Sequence, residues 1–109
     1  MRRGDIVTVA AGGGFGSKPR PAVIIQAGQF NETATLTLCL FTSTPIELPL
    51  IRVAVSPGPE NGLVEMSWLM IDKLISVRRS KIGKLVGRLA DEDQLRLNRA
   101  LTVFLGLAA

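Results

Sequence analysis

Up to residue 78 the apolar residues of this chain fall in short runs cut apart by glycine, proline and asparagine, and only after residue 90 does a helical period take over. Residues 34–41 show the rule: Leu36, Leu38 and Leu40 face one way, and Thr35, Thr37, Cys39 and Phe41 the other. Asp-Ile-Val-Thr-Val-Ala at 5–10 is β-branched and alternating, a first strand. A second is expected at 21–26, opening at a proline, where a missing N–H does least harm. Further strands are expected at 50–55, 63–66 and 69–78, with a strong turn signal between them, Ser56-Pro57-Gly58-Pro59-Glu60-Asn61-Gly62. Five or six short strands with tight turns predict a small closed or nearly closed barrel. The end differs. Asp91 and Gln94 have capping-box spacing, and Glu92 and Asp93 suit a first helical turn. Leu97, Leu101, Phe104 and Leu105 then share one face, so a single C-terminal helix should pack on the barrel. With 109 residues the expectation is one mainly β domain, 1–109, with that helix at its end.

Composition limits the chemistry. The sequence contains no histidine, which removes His-based acid–base pairs, Ser-His-Asp triads and most zinc or iron sites. Of the nine acids only Asp91, Glu92 and Asp93 cluster, so neither a metal nor another cofactor is expected. Cys39 is the one cysteine and cannot form an intramolecular disulfide, which fits a reducing, cytoplasmic setting. The longest uncharged stretch, residues 33–46, has 14 residues, short of the ~18 a membrane-spanning helix needs. Met1-Arg2-Arg3 before an apolar run has the look of a signal peptide, but Asp5 and the glycines after Ala11 break it.

A net charge of +4 points to an anionic partner, and its placement is uneven. Residues 73–88 hold Lys73, Arg78, Arg79, Lys81, Lys84 and Arg88, six of the 13 bases, and no acid. The strip is either a solvated face or a surface that tracks phosphates. Aromatics are few (Phe15, Phe30, Phe41, Phe104 and Trp68), so no broad base-stacking platform is evident. The glycine-rich stretch 11–19 is not a phosphate-binding P-loop. Gly16 is followed by Ser17-Lys18-Pro19 and then a strand, where a P-loop requires Gly-Lys-Ser/Thr opening a helix. The most unusual string is Lys18-Pro19-Arg20-Pro21, which holds Arg20 stiffly between two prolines. It is either a surface arginine at a strand start or a preorganised guanidinium for a phosphate.

Arg3-Gly4-Asp5-Ile6-Val7, the glycine-rich loop, Pro19-Arg20-Pro21-Ala22-Val23 and Leu40-Phe41-Thr42-Ser43-Thr44 follow in the order and spacing of the MazF/PemK toxins. So do Asp72-Lys73-Leu74-Ile75-Ser76-Val77, Ile82-Gly83-Lys84 and Gly87-Arg88-Leu89. The chain resembles that family from Arg3 to Gly106. The resemblance implies an SH3-like barrel that forms homodimers. It implies the toxin of a type II toxin–antitoxin pair, cutting single-stranded RNA at short sequences without a metal. By that likeness Arg20 and Thr42 are the catalytic residues, while Gly4-Asp5 is mainly structural. Ser43, Ser17 and Lys18 are further candidates for catalysis or RNA binding. Lys73, Arg78, Arg79, Lys81 and Lys84 would form a surface shared by RNA and an antitoxin with an acidic tail. Trp68, Leu69, Met70, Leu101, Phe104 and Leu105 are the candidate dimer contacts. The sequence departs from the family pattern at 43–49, which lacks the usual Gln or Asn, and at Trp68, where a polar residue is commoner. Both bear on which RNA sequence is cut.

Metal-free RNA cleavage constrains the mechanism independently. The 2′-hydroxyl attacks its own phosphate, leaving a 2′,3′-cyclic phosphate and a 5′-hydroxyl. The protein must align the attack, stabilise phosphoryl charge and handle two protons. Arg20 suits the charge and Thr42 offers one more hydrogen bond. The resemblance implies that Arg20 also shuttles protons, yet a guanidinium above pKa ~12 accepts them poorly, so the base is left open. Two rival readings share the fold: a CcdB-like gyrase poison without nuclease activity, and a non-catalytic RNA-binding module.

Overall fold

The computed structural model describes residues 1–10 and 18–107. Most of the expected glycine loop, with Ser17, lies outside the described residues. Six strands form one antiparallel sheet: β1 (Asp5–Ala10), β2 (Pro19–Ile24), β3 (Thr35–Thr42), β4 (Arg52–Val55), β5 (Ser67–Arg78) and β6 (Ile82–Arg88). One helix, α1 (Asp91–Phe104), follows. The order across the sheet is β4-β5-β3-β2-β1-β6. The mainly β architecture with a C-terminal helix is as the sequence predicts.

Both faces of the sheet are covered, which explains why β3 is apolar on alternate positions yet buried on both sides. Leu36 and Leu38 join Val7, Val9, Ala22 and Ile24 in one core cluster. Cys39 and Phe41 join Ile6, Val23, Leu69, Leu97 and Leu101 in the other, beneath α1. Val53 and Val55 of edge strand β4 belong to the second cluster together with Ile6 and Leu89 from near the opposite edge. The sheet must therefore curl to bring its two edges over one core.

Boundaries move for local reasons. β2 runs two residues earlier than expected at both ends. Before Ala22 it pairs with β1 alone, so Pro19 and Pro21 disturb one side of the ladder at most. It stops at Ile24 because Gln26 closes the turn: its Nε2 donates to Phe30 O and its Oε1 accepts from Thr37 N, at 2.8 and 2.9 Å. The strand expected at 63–66 does not form; Val64 there is 93% exposed, and the segment runs irregularly into β5. β6 lies where no strand was expected, over a segment interrupted by Gly83 and Gly87. A Cβ at Gly83 would stand 2.4 Å from Thr8 Oγ1, and one at Gly87 2.5 Å from the backbone of Glu60 and Asn61. Those glycines permit close approach of neighbouring chain.

The capping box also fails. α1 begins at Asp91 with Ala90 as its uncapped N-cap, and the Gln94 amide donates instead to Leu89 O at 2.9 Å. The three acids still occupy the first turn, where the helix dipole favours them. Leu97 and Leu101 are buried as expected, whereas Phe104 and Leu105 overhang the core and are about half exposed.

Candidate active site

The cleft is built from the prolines upward. Pro19 and Pro21 keep the start of β2 extended and hold Arg20 opposite Val9 of β1. On its other side β2 pairs with β3 as far as Ala22↔Leu40. Two residues beyond that pair on each strand come Arg20 and Thr42, and both border one cleft of about 270 Å³. Arg20 is exposed and, among the described residues, makes no ion pair. Thr42 ends β3 opposite Trp68 of β5. Its Oγ1 accepts a hydrogen bond from Thr44 N at 3.1 Å, which occupies a lone pair and leaves the hydroxyl proton free to donate. Ser43 lines the same cleft and is exposed.

A second cleft, about 490 Å³, has an apolar floor from Val9, Leu40, Ile75 and Val77, with Arg20, Arg78 and Lys81 at its margin. Arg20 therefore stands on the ridge between two depressions, one holding hydroxyls and the other flanked by cations.

The basic strip divides. Arg78 and Lys81 join Arg20. Arg79 is partly turned inward, its Nε donating to Thr33 O at 2.6 Å. Lys73 lies 3.9 Å from Asp72, and neither cleft includes it. Lys84 is exposed on β6, where its backbone N–H donates to Thr8 Oγ1. Arg88 is structural: it donates to Asp5 Oδ1 and to Arg3 O, both at 3.0 Å, in keeping with the structural reading of Gly4-Asp5. Lys18 is exposed just before β2 and borders neither cleft.

Of the expected dimer contacts, Leu69 and Leu101 are consumed by the chain's own core. Trp68 and Met70 are half-buried, and Phe104 and Leu105 remain available. Trp68 also borders a separate depression with Glu47, Leu48 and Arg52. Cys39 is ruled out as a nucleophile. Burial and the nearby Asp72 carboxylate, opposed by Arg52, push its thiol up to about 12, and its Sγ faces Met70 O. Among the described residues no three His, Cys, Asp or Glu side chains gather as metal ligands would.

Sequence reasoning missed part of the cleft's lining. Thr8, Glu65 and Ser67 line it as well; Thr8 and Glu65 fall in segments expected to be plain strands, and Ser67 falls between two of them. No local pattern marks them, because the curl of the sheet alone brings residues 62–67 to the ends of β2 and β3.

Residues 2–105 match the family model for the PemK-like, MazF-like toxin of type II toxin–antitoxin systems. The chain is 50% identical over 108 residues to a Mycolicibacterium smegmatis protein named "Probable endoribonuclease MazF", covering 99% of both. Its fold is similar to that of the Mycobacterium tuberculosis toxin MazF-mt6, with TM-score 0.81 at 21% identity over 96% of this chain and 99% of that one. It is similar also to MazF in a MazE–MazF crystal structure from Deinococcus radiodurans, with TM-score 0.80 at 20% identity over 97% and 96%. With the whole fold and nearly the whole length accounted for, the chain belongs to the PemK/MazF family of type II toxin–antitoxin toxins.

Proposed function

We propose that this chain is a metal-independent endoribonuclease that cuts single-stranded RNA, acting as the toxin of its pair. The observation that carries the reading is that the Arg20 guanidinium, without an ion-pair partner among the described residues, shares one cleft with the Thr42 hydroxyl. The 2′-oxygen attacks phosphorus, the P–O5′ bond breaks, and a 2′,3′-cyclic phosphate and a 5′-hydroxyl result. Arg20 donates to the non-bridging oxygens as their charge grows, and Thr42 adds a donor to the same phosphate. A fixed donor of this kind is worth about 3–4 kcal/mol of barrier. The strand flanking the cut would cross the Arg20 ridge, with further phosphates meeting Arg78 and Lys81.

A homodimer and an antitoxin with an acidic tail complete the proposal. Phe104 and Leu105 leave apolar surface for a second copy. Arg78 and Lys81 beside the apolar second cleft suit a chain that alternates acidic and apolar residues. The test is incubation with a mixed-sequence RNA transcript in EDTA. Cuts ending in 2′,3′-cyclic phosphate support the reading. Intact RNA together with inhibited gyrase would favour the CcdB-like alternative.

A further inference from the structure

The cleavage just proposed needs an acceptor for the 2′-hydroxyl proton, and a guanidinium such as Arg20 or a hydroxyl such as Thr42 accepts one poorly. We infer that Glu65 is that acceptor; the inference rests on the ribonuclease reading. Among the described residues, Glu65 is the carboxylate that lines the Arg20–Thr42 cleft. The other acids are spent or elsewhere. Asp5, Asp72 and Asp93 are held by Arg88, Arg52 and Arg96. Glu47 borders the separate depression beside Trp68, while Glu32, Glu60, Asp91 and Glu92 border neither Arg20 cleft.

The segment that carries Glu65 is irregular, yet it is tied down. Asn61 is 6% exposed; its Oδ1 accepts from Gly58 N and Leu63 N at 3.0 Å, and its Nδ2 donates to Ser56 O at 2.9 Å. Gly62 has φ +68°, and a Cβ there would stand 2.4 Å from Val86 O, so the segment lies directly on β6. Ser67 Oγ donates to Glu65 O at 3.0 Å where the segment enters β5. A buried amide, a close-packed glycine and a serine thus fix the backbone of the segment whose Glu65 lines the cleft. Proximity of this kind is what a general base requires.

The step balances without a co-reactant beyond water. The 2′-hydroxyl proton passes to the Glu65 carboxylate as O2′ bonds phosphorus; P–O5′ breaks, and O5′ takes a proton from water. Glu65 then releases its proton to solvent.

The experiment uses the full chain. Cut sites are mapped on a mixed-sequence transcript, and one site is placed in a short RNA and in an analogue with 2′-deoxyribose at the attacking position. Glu65→Gln should lower kcat about a hundredfold or more. It should leave the melting temperature unchanged and the affinity for the deoxy analogue within about twofold, since it keeps the shape and removes only the basic carboxylate. It should also abolish the fall of the wild-type rate on the acid side of the pH profile, and Glu65→Asp should restore part of the rate. Cutting by Glu65→Gln within about threefold of wild type overturns the assignment, as does an unchanged acid limb or an equal loss of analogue binding. A wild-type chain that cuts no transcript overturns the ribonuclease reading itself, and the role of Glu65 falls with it.

Discussion

Arg20 and Arg88 sit across from opposite ends of the same strand, and their surroundings could hardly differ more. Arg88 pairs with Asp5 at the start of β1, and Arg20 with Val9 near its end. At the Asp5 end the polar groups meet partners. Asp5 accepts from Arg88 through Oδ1 and from Arg2 N through Oδ2, Leu89 N donates to Gly4 O, and Gln94 donates to Leu89 O. At the Val9 end an apolar side chain faces a guanidinium that has no ion-pair partner among the described residues. The first end ties β1, β6 and α1 together. The second holds a cation extended and unspent, and the proposed substrate phosphate would be its first counter-charge. Residue type does not separate stability from function here; the residue across the ladder does.

The largest effect should come from the unspent end. Arg20→Ala should cut turnover by ~10²–10³-fold, the usual cost of removing one preorganised donor to a developing oxyanion. Thr42→Ala should follow with a smaller loss. Neither should lower the melting temperature, because Arg20 is exposed and Thr42 only half-buried. Single-turnover rates beside thermal melts check both. Full activity in Arg20→Ala would erase the contrast between the two arginines.

The mirror experiment is Asp5→Ala. It leaves Arg88 Nη1 without its carboxylate and Arg2 N without its acceptor. Charged hydrogen bonds of this kind carry about 1.5–3 kcal/mol. For a domain of this size that lowers Tm by roughly 10 °C. The folded fraction should cut RNA at the wild-type rate, measured per active molecule at low temperature.

The two ends were unequally legible in the sequence. Alternation at 5–10 and 34–41 was enough to find β1 and β3, because a period of two follows from the pleat itself. Arg20 stood out because flanking prolines restrict its backbone whatever the fold. Thr42 could be singled out only through the family likeness. β6 could not be read, since Gly83 and Gly87 owe their identity to Thr8 and Asn61, residues 75 and 26 positions away. The 63–66 segment failed in the opposite way: it has strand-like residues but no strand to pair with. Residues that line a cleft from a connection obey no local period, so Glu65 became visible only with the curled sheet.

The cations near Arg20 allow a graded version of the comparison. Arg78 and Lys81 border the second cleft, whereas Lys73 stands beside Asp72 away from both. Each phosphate neutralised on a single strand contributes about −0.7 to the slope of log affinity against log salt. Arg78→Gln with Lys81→Gln should therefore flatten the slope by roughly 1.4. Lys73→Gln should leave it nearly unchanged. Fluorescence titrations of a labelled RNA between low and moderate salt would measure this, and equal slopes for all variants would return the strip to a solvated face.

Arg52 is a third case, between the other two, and predicts the smallest effect. Its side chain is 8% exposed and pairs with Asp72, which is 26% exposed, while Nη1 also donates to Ile51 O at 2.9 Å. Burial pushes the Asp72 carboxyl upward, but the hydrogen bond and charge of Arg52, helped by Lys73, outweigh it and hold the group below its ordinary value. The sign follows. An aspartate that is more acidic folded than unfolded stabilises the fold above its unfolded pKa, about 3.9, and loses that contribution as pH falls through the folded value. Asp72→Asn should thus cost about 1 kcal/mol at neutral pH, the scale of one hydrogen bond. The gap between variant and wild type should close below about pH 4, as the wild-type carboxyl takes up its proton. Because Asp72 borders neither cleft, RNA cutting at neutral pH should not change. Urea melts from pH 7 down to pH 3 give the answer. A gap that persists undiminished at pH 3 would show that Asp72 acts through shape alone, and Arg52 would then belong with neither the spent arginine nor the unspent one.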